Sequence, residues 1–95
     1  MDCELLNGCI DYEFLGKLVD ALEVKLVPFA DKWLLIVIIG YTFYDDIEST
    51  IRAVRKYLEE NGVKSRPREI APDFYNNLPV LRLVFEINGF SGDND

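Results

Sequence analysis

The stretch "WLLIVII" (residues 33–39) decides the fold. It is apolar without interruption, rich in β-branched residues and only seven residues long, and a glycine follows it at once. A run of this length is typical of a strand, because a buried helix needs more residues. Since both alternating sets of side chains are apolar, we predict a central strand that is covered on both faces of its sheet.

A second strand precedes this one in the chain. The segment "VKLVPF" (24–29) has the composition of a strand, and Pro28 lacks the backbone N–H that an interior strand would use. We therefore predict that this strand lies at the edge of the sheet. The segment "ADK" (30–32) would form the short turn between the two strands.

Apolar residues at helical spacing predict two helices. The first covers residues 11–23, and Asp11 is a suitable N-cap because its carboxylate can accept backbone N–H groups of the first turn. The second opens at Asp45, which has the spacing of a capping box with Glu48. Gly62 fits the position that follows the end of this second helix. The apolar stripes are Tyr12, Leu15, Leu18, Val19 and Leu22 in the first helix, and Ile47, Ile51, Val54 and Leu58 in the second.

Two further strands are predicted in the second half of the chain. They are "VKSRPREI" (63–70) and "VLRLVFEI" (80–87). The segment between them, "APDFYNNLP" (71–79), is bracketed by prolines, and we expect it to form a long loop. Alternation in the fourth strand separates two faces, with Leu81, Leu83, Phe85 and Ile87 on one and Arg82, Val84 and Glu86 on the other.

The two halves of the chain share a pattern. "EVKLVP" (23–28) and "GVKSRP" (62–67) both contain Val-Lys-x-x-Pro, and each follows a predicted helix and opens a hairpin. We predict an α+β fold, an αββ–αββ pseudo-repeat in which a four-stranded, mostly antiparallel sheet carries two helices on one face. If "DCELL" (2–6) is a further strand, the alternative is a ferredoxin-like βαββαβ arrangement with an extra strand.

Length and charge restrict the organisation and the partners. The 95 residues predict a single domain over residues 1–88, followed by a flexible acidic C-terminal tail at 89–95. The chain has 17 acidic and 10 basic residues and a formal net charge of −7, and residues 1–50 hold ten of the acids and three of the bases. This balance disfavours attraction to nucleic acid or an anionic membrane. The acidic half would suit a basic protein partner.

The sequence contains none of the usual catalytic patterns. It has no histidine and no glycine-rich phosphate-binding motif, and the spacing of Cys3 and Cys9 fits neither a redox pair nor a zinc site. We therefore expect no catalytic group, cofactor or metal, and a metal site at Asp45, Asp46 and Glu48 is only a minor alternative. Without a basic-then-apolar leader or a membrane-length apolar run, we expect a cytoplasmic protein.

Basic residues are concentrated in the segment 52–68. On a strand, the alternating bases of "KSRPR" would share one face, and on a helix, bases four residues apart are neighbours. This segment provides six of the ten basic residues of the chain. The candidate macromolecule-binding residues are Arg52, Arg55, Lys56, Lys64, Arg66 and Arg68.

Three interpretations of this basic segment remain open. In the first, it is a solvated surface whose helical bases are neutralised by Glu48, Glu59 and Glu60. In the second, it docks the acidic half of a neighbouring copy or of another protein. In the third, it binds nucleic acid or another polyanion, with aromatic side chains of the following loop stacking on bases.

Several aromatic residues fall in predicted loops or at strand ends. Aromatic side chains in such positions are frequent anchors of protein interfaces. The candidate interface aromatics are Tyr41, Phe43, Tyr44, Phe74 and Tyr75.

Two helices would cover only one face of the predicted sheet, whereas residues 33–39 are apolar on both. We therefore expect a second copy of the chain to cover the other face. The predicted function is that of a small, non-enzymatic, acidic protein that acts as a homodimeric protein-interaction module. The alternative is a nucleic-acid or polyanion-binding module that uses segment 52–68.

Overall fold

The structure of the chain is a computed structural model that describes residues 10–41 and 44–90, and of residues 44, 45 and 90 it describes the backbone alone. The order of elements is αββαββ, and the predicted α+β class is confirmed. A duplication behind this order stays a prediction, and "DCELL", on which the alternative fold depends, lies outside the described residues. The elements are α1 (Tyr12–Leu18), β1 (Glu23–Phe29), β2 (Lys32–Gly40), α2 (Tyr44–Glu60), β3 (Val63–Tyr75) and β4 (Leu78–Phe90).

The four strands form one antiparallel sheet in the order β1-β2-β4-β3. The central position predicted for "WLLIVII" is confirmed, because β2 lies inside the sheet and is buried on both faces. Leu35 and Val37 are fully buried on one face, and Leu34 and Ile38 are buried on the other. The edge position predicted from Pro28 is also confirmed, since β1 has a neighbour on one side only.

The main core lies between the sheet and the two helices. Leu15 of α1 and Val54 and Leu58 of α2 are fully buried against the alternate side chains of β2 and β4. The face predicted for the fourth strand is confirmed, because its four apolar residues all belong to this core. Within the described residues, no helix is long and apolar enough to cross a membrane. The contributions of β4 are Leu81, Leu83, Phe85 and Ile87.

Asp11 and Tyr57 fix the first helix against the second. The carboxylate of Asp11 accepts a hydrogen bond from the Phe14 N–H at 3.0 Å, which confirms the predicted N-cap. The backbone N–H of Asp11 donates to the Tyr57 hydroxyl at 2.8 Å. The rings of Phe14 and Tyr57 lie 5.6 Å apart between centroids. The entry of α1 is therefore defined by polar and ring contacts with α2 as well as by core packing.

Both helices differ from their predicted bounds. α1 ends at Leu18, and the prediction that it continues to residue 23 is wrong. Asp20 has a left-handed backbone with φ of 56°, a conformation that interrupts a right-handed helix. The Leu22 N–H then donates to the Ile38 carbonyl at 2.7 Å, so the chain has already joined the sheet. α2 begins one residue before the predicted cap, Asp45.

The predicted loop at 71–79 is wrong, because β3 and β4 continue through it and pair as far as Tyr75 and Leu78. Only Asn76 and Asn77 remain between the strands, with φ of 54° and 68°. Positive φ at both central residues is typical of the type I′ hairpin turn, and asparagine tolerates this conformation. Pro72 is tolerated because β3 is an edge strand, and Pro79 because it lies beyond the last pair of β2 with β4, Gly40 with Val80. At its other end β4 extends to Phe90, beyond the predicted end at residue 87.

Phe85 gives a direct test of this core, since its side chain is fully buried at the centre of β4. We expect Phe85→Ala to lower the free energy of unfolding by about 3–5 kcal/mol, because it removes buried apolar area and leaves a cavity. Urea denaturation would measure this change. The control is Phe74→Ala, which truncates a phenylalanine that is 72% exposed and should change the monomer's stability by no more than about 0.5 kcal/mol. Similar losses in the two variants would contradict the described core.

Candidate functional site

We refer to the face of the sheet opposite the helices as the open face. Its central apolar side chains come from β2 and β4 and are buried, with exposed fractions of 9% for Leu34, 6% for Ile38, 1% for Val80 and 5% for Val84. The expectation that a second copy covers this face assumed a large exposed apolar surface. The centre of the open face does not provide one, so the features around it are the better candidates for a site.

Glu86 is the buried charge of the open face, with only 3% of its surface exposed. Its carboxylate accepts a hydrogen bond from Arg66 Nε at 3.0 Å and lies 3.3 Å from Arg68 Nη1 and 3.7 Å from Lys32 Nζ. Burial by itself would raise the pKa of Glu86, but the Arg66 hydrogen bond and the three positive charges outweigh it and lower the pKa. We call these four residues the Glu86 cluster.

An irregularity in β3 brings two arginines to Glu86. The pairing of β3 with β4 shifts between Pro67 and Glu69, so Arg68 lies at a bulge. A bulge re-aims the side chain at the extra residue. The Arg68 guanidinium consequently reaches Glu86 and also lies 5.1 Å from the centre of the Phe29 ring, on the far edge strand. These contacts join β3, β4 and β1 across the open face.

A second ion pair lies nearer the β3–β4 turn. Arg82 Nη1 donates to a carboxylate oxygen of Asp73 at 2.6 Å, and the Phe74 N–H donates to the other oxygen at 2.8 Å. The backbone hydrogen bond and the Arg82 contact hold the pKa of Asp73 below its usual value. Asp73 is therefore neutralised by a neighbour on the adjacent strand.

The six predicted macromolecule-binding residues form two separate groups. Arg66 and Arg68 belong to the Glu86 cluster, where each lies within ion-pair distance of the buried carboxylate. The strand face that Lys64 was expected to share with them stays a prediction. The other four residues line a groove between α2 and the start of β3: Arg52, Arg55, Lys56 and Lys64.

This α2–β3 groove has a volume of about 660 Å³. Besides the four bases, Glu48 and Glu59 lie on its rim, and Ile51 and Val63 contribute apolar surface. Two acids among four bases leave a local excess of positive charge in a chain whose net charge is −7. The groove is therefore a basic region of an otherwise acidic molecule.

The bases of the α2–β3 groove have no ion-pair partner within 4.0 Å among the described residues. The expected neutralisation by Glu48, Glu59 and Glu60 is therefore not found. Exposed ion pairs gain little free energy because water screens the charges and the side chains lose freedom. The four positive charges remain accessible to a ligand from outside.

The predicted interface aromatics occupy different environments. Tyr41 and Phe74 are among the most exposed large apolar residues, with 66% and 72% of their surfaces accessible. Tyr75 is half-buried on β3. Phe43 lies outside the described residues, as does the side chain of Tyr44.

Sequence reasoning missed several exposed apolar residues, among them Ile70 and Leu78, and the buried position of Glu86. Ile70 and Leu78 have 47% and 59% of their surfaces exposed. Ile70 lies just before the segment 71–79 that was predicted to be a loop, and Leu78 lies near its end. Asn76 followed by Asn77 is the signal that could have revealed the turn, because asparagine favours positive φ. No local signal marks Glu86 as buried, since its partners come from other strands.

The chain matches no family model, and no curated protein or solved structure with a matching sequence or fold was found. Geometry and charge are therefore the observations that bear on function.

The lowered pKa of Glu86 gives a prediction about stability and pH. A carboxyl group whose pKa is lower in the folded than in the unfolded chain stabilises the fold above the unfolded value, near 4.5, and loses this effect as the pH falls through the folded value. We expect Glu86→Gln to be clearly less stable than the wild type at pH 7. The difference should shrink as the pH falls below about 4.5 towards the lowered pKa of Glu86, because the carboxyl group then takes up a proton and becomes neutral like the glutamine side chain.

Chemical denaturation at pH 7 and at about pH 3 would measure both differences. Glu69→Gln is the matched control, because Glu69 is an exposed glutamate on β3 beside the same cluster. Its stability should stay close to that of the wild type at both pH values. A Glu86→Gln deficit of the same size at both pH values would contradict the role given to this carboxylate.

Proposed function

We propose that the protein is a non-enzymatic interaction module that forms a homodimer through one end of its sheet. We call this contact region the hairpin-end surface and define it as Tyr41, Ile70, Phe74 and Leu78. The observation that carries the proposal is their exposure, with accessible fractions of 66%, 47%, 72% and 59%. Burial of these side chains against a partner would stabilise the complex through the hydrophobic effect.

The four residues lie at the same end of the sheet. Ile70, Phe74 and Leu78 belong to the turn half of the β3–β4 hairpin. Tyr41 directly follows Gly40, which pairs with Val80 near the start of β4. Ile70 and Phe74 lie on one face of the hairpin and Leu78, opposite Tyr75, on the other, so the exposed apolar residues surround its end. Single apolar residues are common on protein surfaces, but a group around one hairpin end supports an interaction site.

Charge supports a second copy as the occupant of this surface. Two molecules with a net charge of −7 repel each other at long range. Between Ile70 and Leu81, however, the sequence has one charged residue, Asp73, which is neutralised by Arg82. A homodimer of two-fold symmetry places equal surfaces against each other, and a locally neutral apolar surface fits this requirement.

The edge of β3 is poorly suited to pairing with another strand. Pro67 and Pro72 lie on β3 and provide no backbone N–H for a ladder with an added strand. This supports a dimer held by side-chain packing at the hairpin end, in preference to a sheet that continues from one copy into the next.

Sedimentation velocity of the full chain tests the proposal. We expect the wild type to sediment as a dimer at micromolar concentration. Phe74→Ser removes the most exposed aromatic side chain of the hairpin-end surface. Interface aromatics often contribute about 2 kcal/mol or more, so the dimer dissociation constant should rise at least about tenfold.

Phe29→Ser is the matched control, because Phe29 is a half-exposed phenylalanine on the other edge strand, at the opposite end of the sheet. It should leave the dissociation constant unchanged. Circular dichroism of both variants would establish that they are folded. A wild type that stays monomeric at about 100 μM, or an equal effect of both substitutions, would overturn the proposed interface.

A further inference from the structure

We propose that the α2–β3 groove binds a short acidic segment of a partner polypeptide, with its carboxylates held by Arg52, Lys56 and Lys64. This site lies outside the hairpin-end surface and does not depend on the homodimer. The argument uses the pairing state of the bases, the shape of the groove and the distribution of charge along α2.

The bases of the groove differ from most others in the chain. Of the ten basic residues, five form ion pairs within 4.0 Å with acids among the residues that the structure describes: Lys17, Lys32, Arg66, Arg68 and Arg82. Four of the remaining five line the groove. Neighbouring positive charges repel one another, so binding of a negatively charged group there relieves repulsion and forms charge-assisted hydrogen bonds.

The groove has room for a peptide segment. Its volume of about 660 Å³ lies within the range of roughly 300–1,000 Å³ that is usual for ligand sites. Its apolar surface comes from Ile51 on α2 and Val63 on β3, and the Ser65 hydroxyl is a neutral hydrogen-bonding group. Such a mixture suits a ligand that carries apolar or neutral groups between its charges.

The spacing of the charges suits an extended peptide. Arg52 and Lys56 are four residues apart on α2, which corresponds to about 6 Å along the helix axis. Side chains on one face of an extended chain are separated by about 6.6 Å. Carboxylates at alternate positions of a peptide that follows α2 can therefore reach both bases, and Lys64 provides a third contact from the opposite wall.

The same geometry disfavours a long polyanion. Glu48 and Glu59 bracket the bases along α2, so a nucleic acid strand that continued past either end would meet negative charge. Among the side chains that the structure describes, no aromatic ring lines the groove, whereas proteins that bind single-stranded nucleic acid usually stack bases on aromatic rings. The net charge of −7 opposes long-range attraction of any anion, and this opposition grows with the number of negative charges that the ligand carries. The surface therefore favours an anionic segment of a few residues.

Fluorescence polarisation with a defined probe tests this inference. The probe is a fluorescein-labelled peptide of about eight residues with aspartate at alternate positions, and the comparison peptide has asparagine in place of each aspartate. We expect the full-length protein to bind the acidic peptide and not the neutral one. Lys56→Glu should weaken binding at least about tenfold, because it replaces an attractive contact by a repulsive one.

Lys25→Glu is the matched control, since Lys25 is an exposed base on β1, outside the groove, and the substitution makes the same change in net charge. It should leave peptide binding nearly unchanged. If both substitutions weakened peptide binding equally, the overall charge of the protein would explain the effect, and the proposed site would be wrong. Binding of the asparagine peptide with similar affinity would overturn the proposed chemistry. If a single-stranded oligonucleotide of similar length bound more tightly than the acidic peptide, the proposal of a peptide ligand would be wrong and nucleic acid would be the better candidate.

Discussion

The antiparallel pairing of β2 with β4 is the constraint on which the rest of the structure depends. It joins the two hairpins, and its register places Leu35 opposite Phe85 beneath the helices. The same register places Leu34 opposite Glu86 on the open face. A shift by one residue would exchange the two faces and direct the Glu86 carboxylate into the apolar core. Apolar packing on one face and ion pairing on the other therefore select the same register.

The parts of the fold that follow from local composition are predictable from the sequence. The apolar run of β2 and the proline of β1 indicate the inner and the edge strand, and Asp11 indicates the start of a helix. The β3–β4 hairpin is less predictable. Pro72 and Pro79 indicate a loop as long as the order of the strands in the sheet is unknown. Proline has no backbone N–H and is compatible with a strand only at positions where the neighbouring strand needs no hydrogen bond from it. Those positions are known only once the sheet is assembled.

The candidate sites are predictable in composition but not in arrangement. The cluster of bases in segment 52–68 is evident, and two of the predicted aromatics, Tyr41 and Phe74, are exposed. Within the described part of the chain, the division of the bases into those with and those without an ion-pair partner depends on the bulge at Arg68 and on the carboxylate of Glu86 on β4. The bulge and the position of this carboxylate both follow from the register between β3 and β4. The residue pattern of a single strand does not determine that register. Long-range pairing therefore separates the residues that hold the sheet together from those that are free to bind.

The two hairpin turns determine the order in which this chain can assemble. Each turn connects strands that are adjacent in sequence, with Phe29 opposite Lys32 in one hairpin and Tyr75 opposite Leu78 in the other. Closing such short loops loses little chain entropy. The β2–β4 contact instead joins opposite halves of the chain and must hold α2 in the intervening loop. This topology favours a folding route in which each half of the chain forms locally first. The two halves then meet in one late, cooperative step.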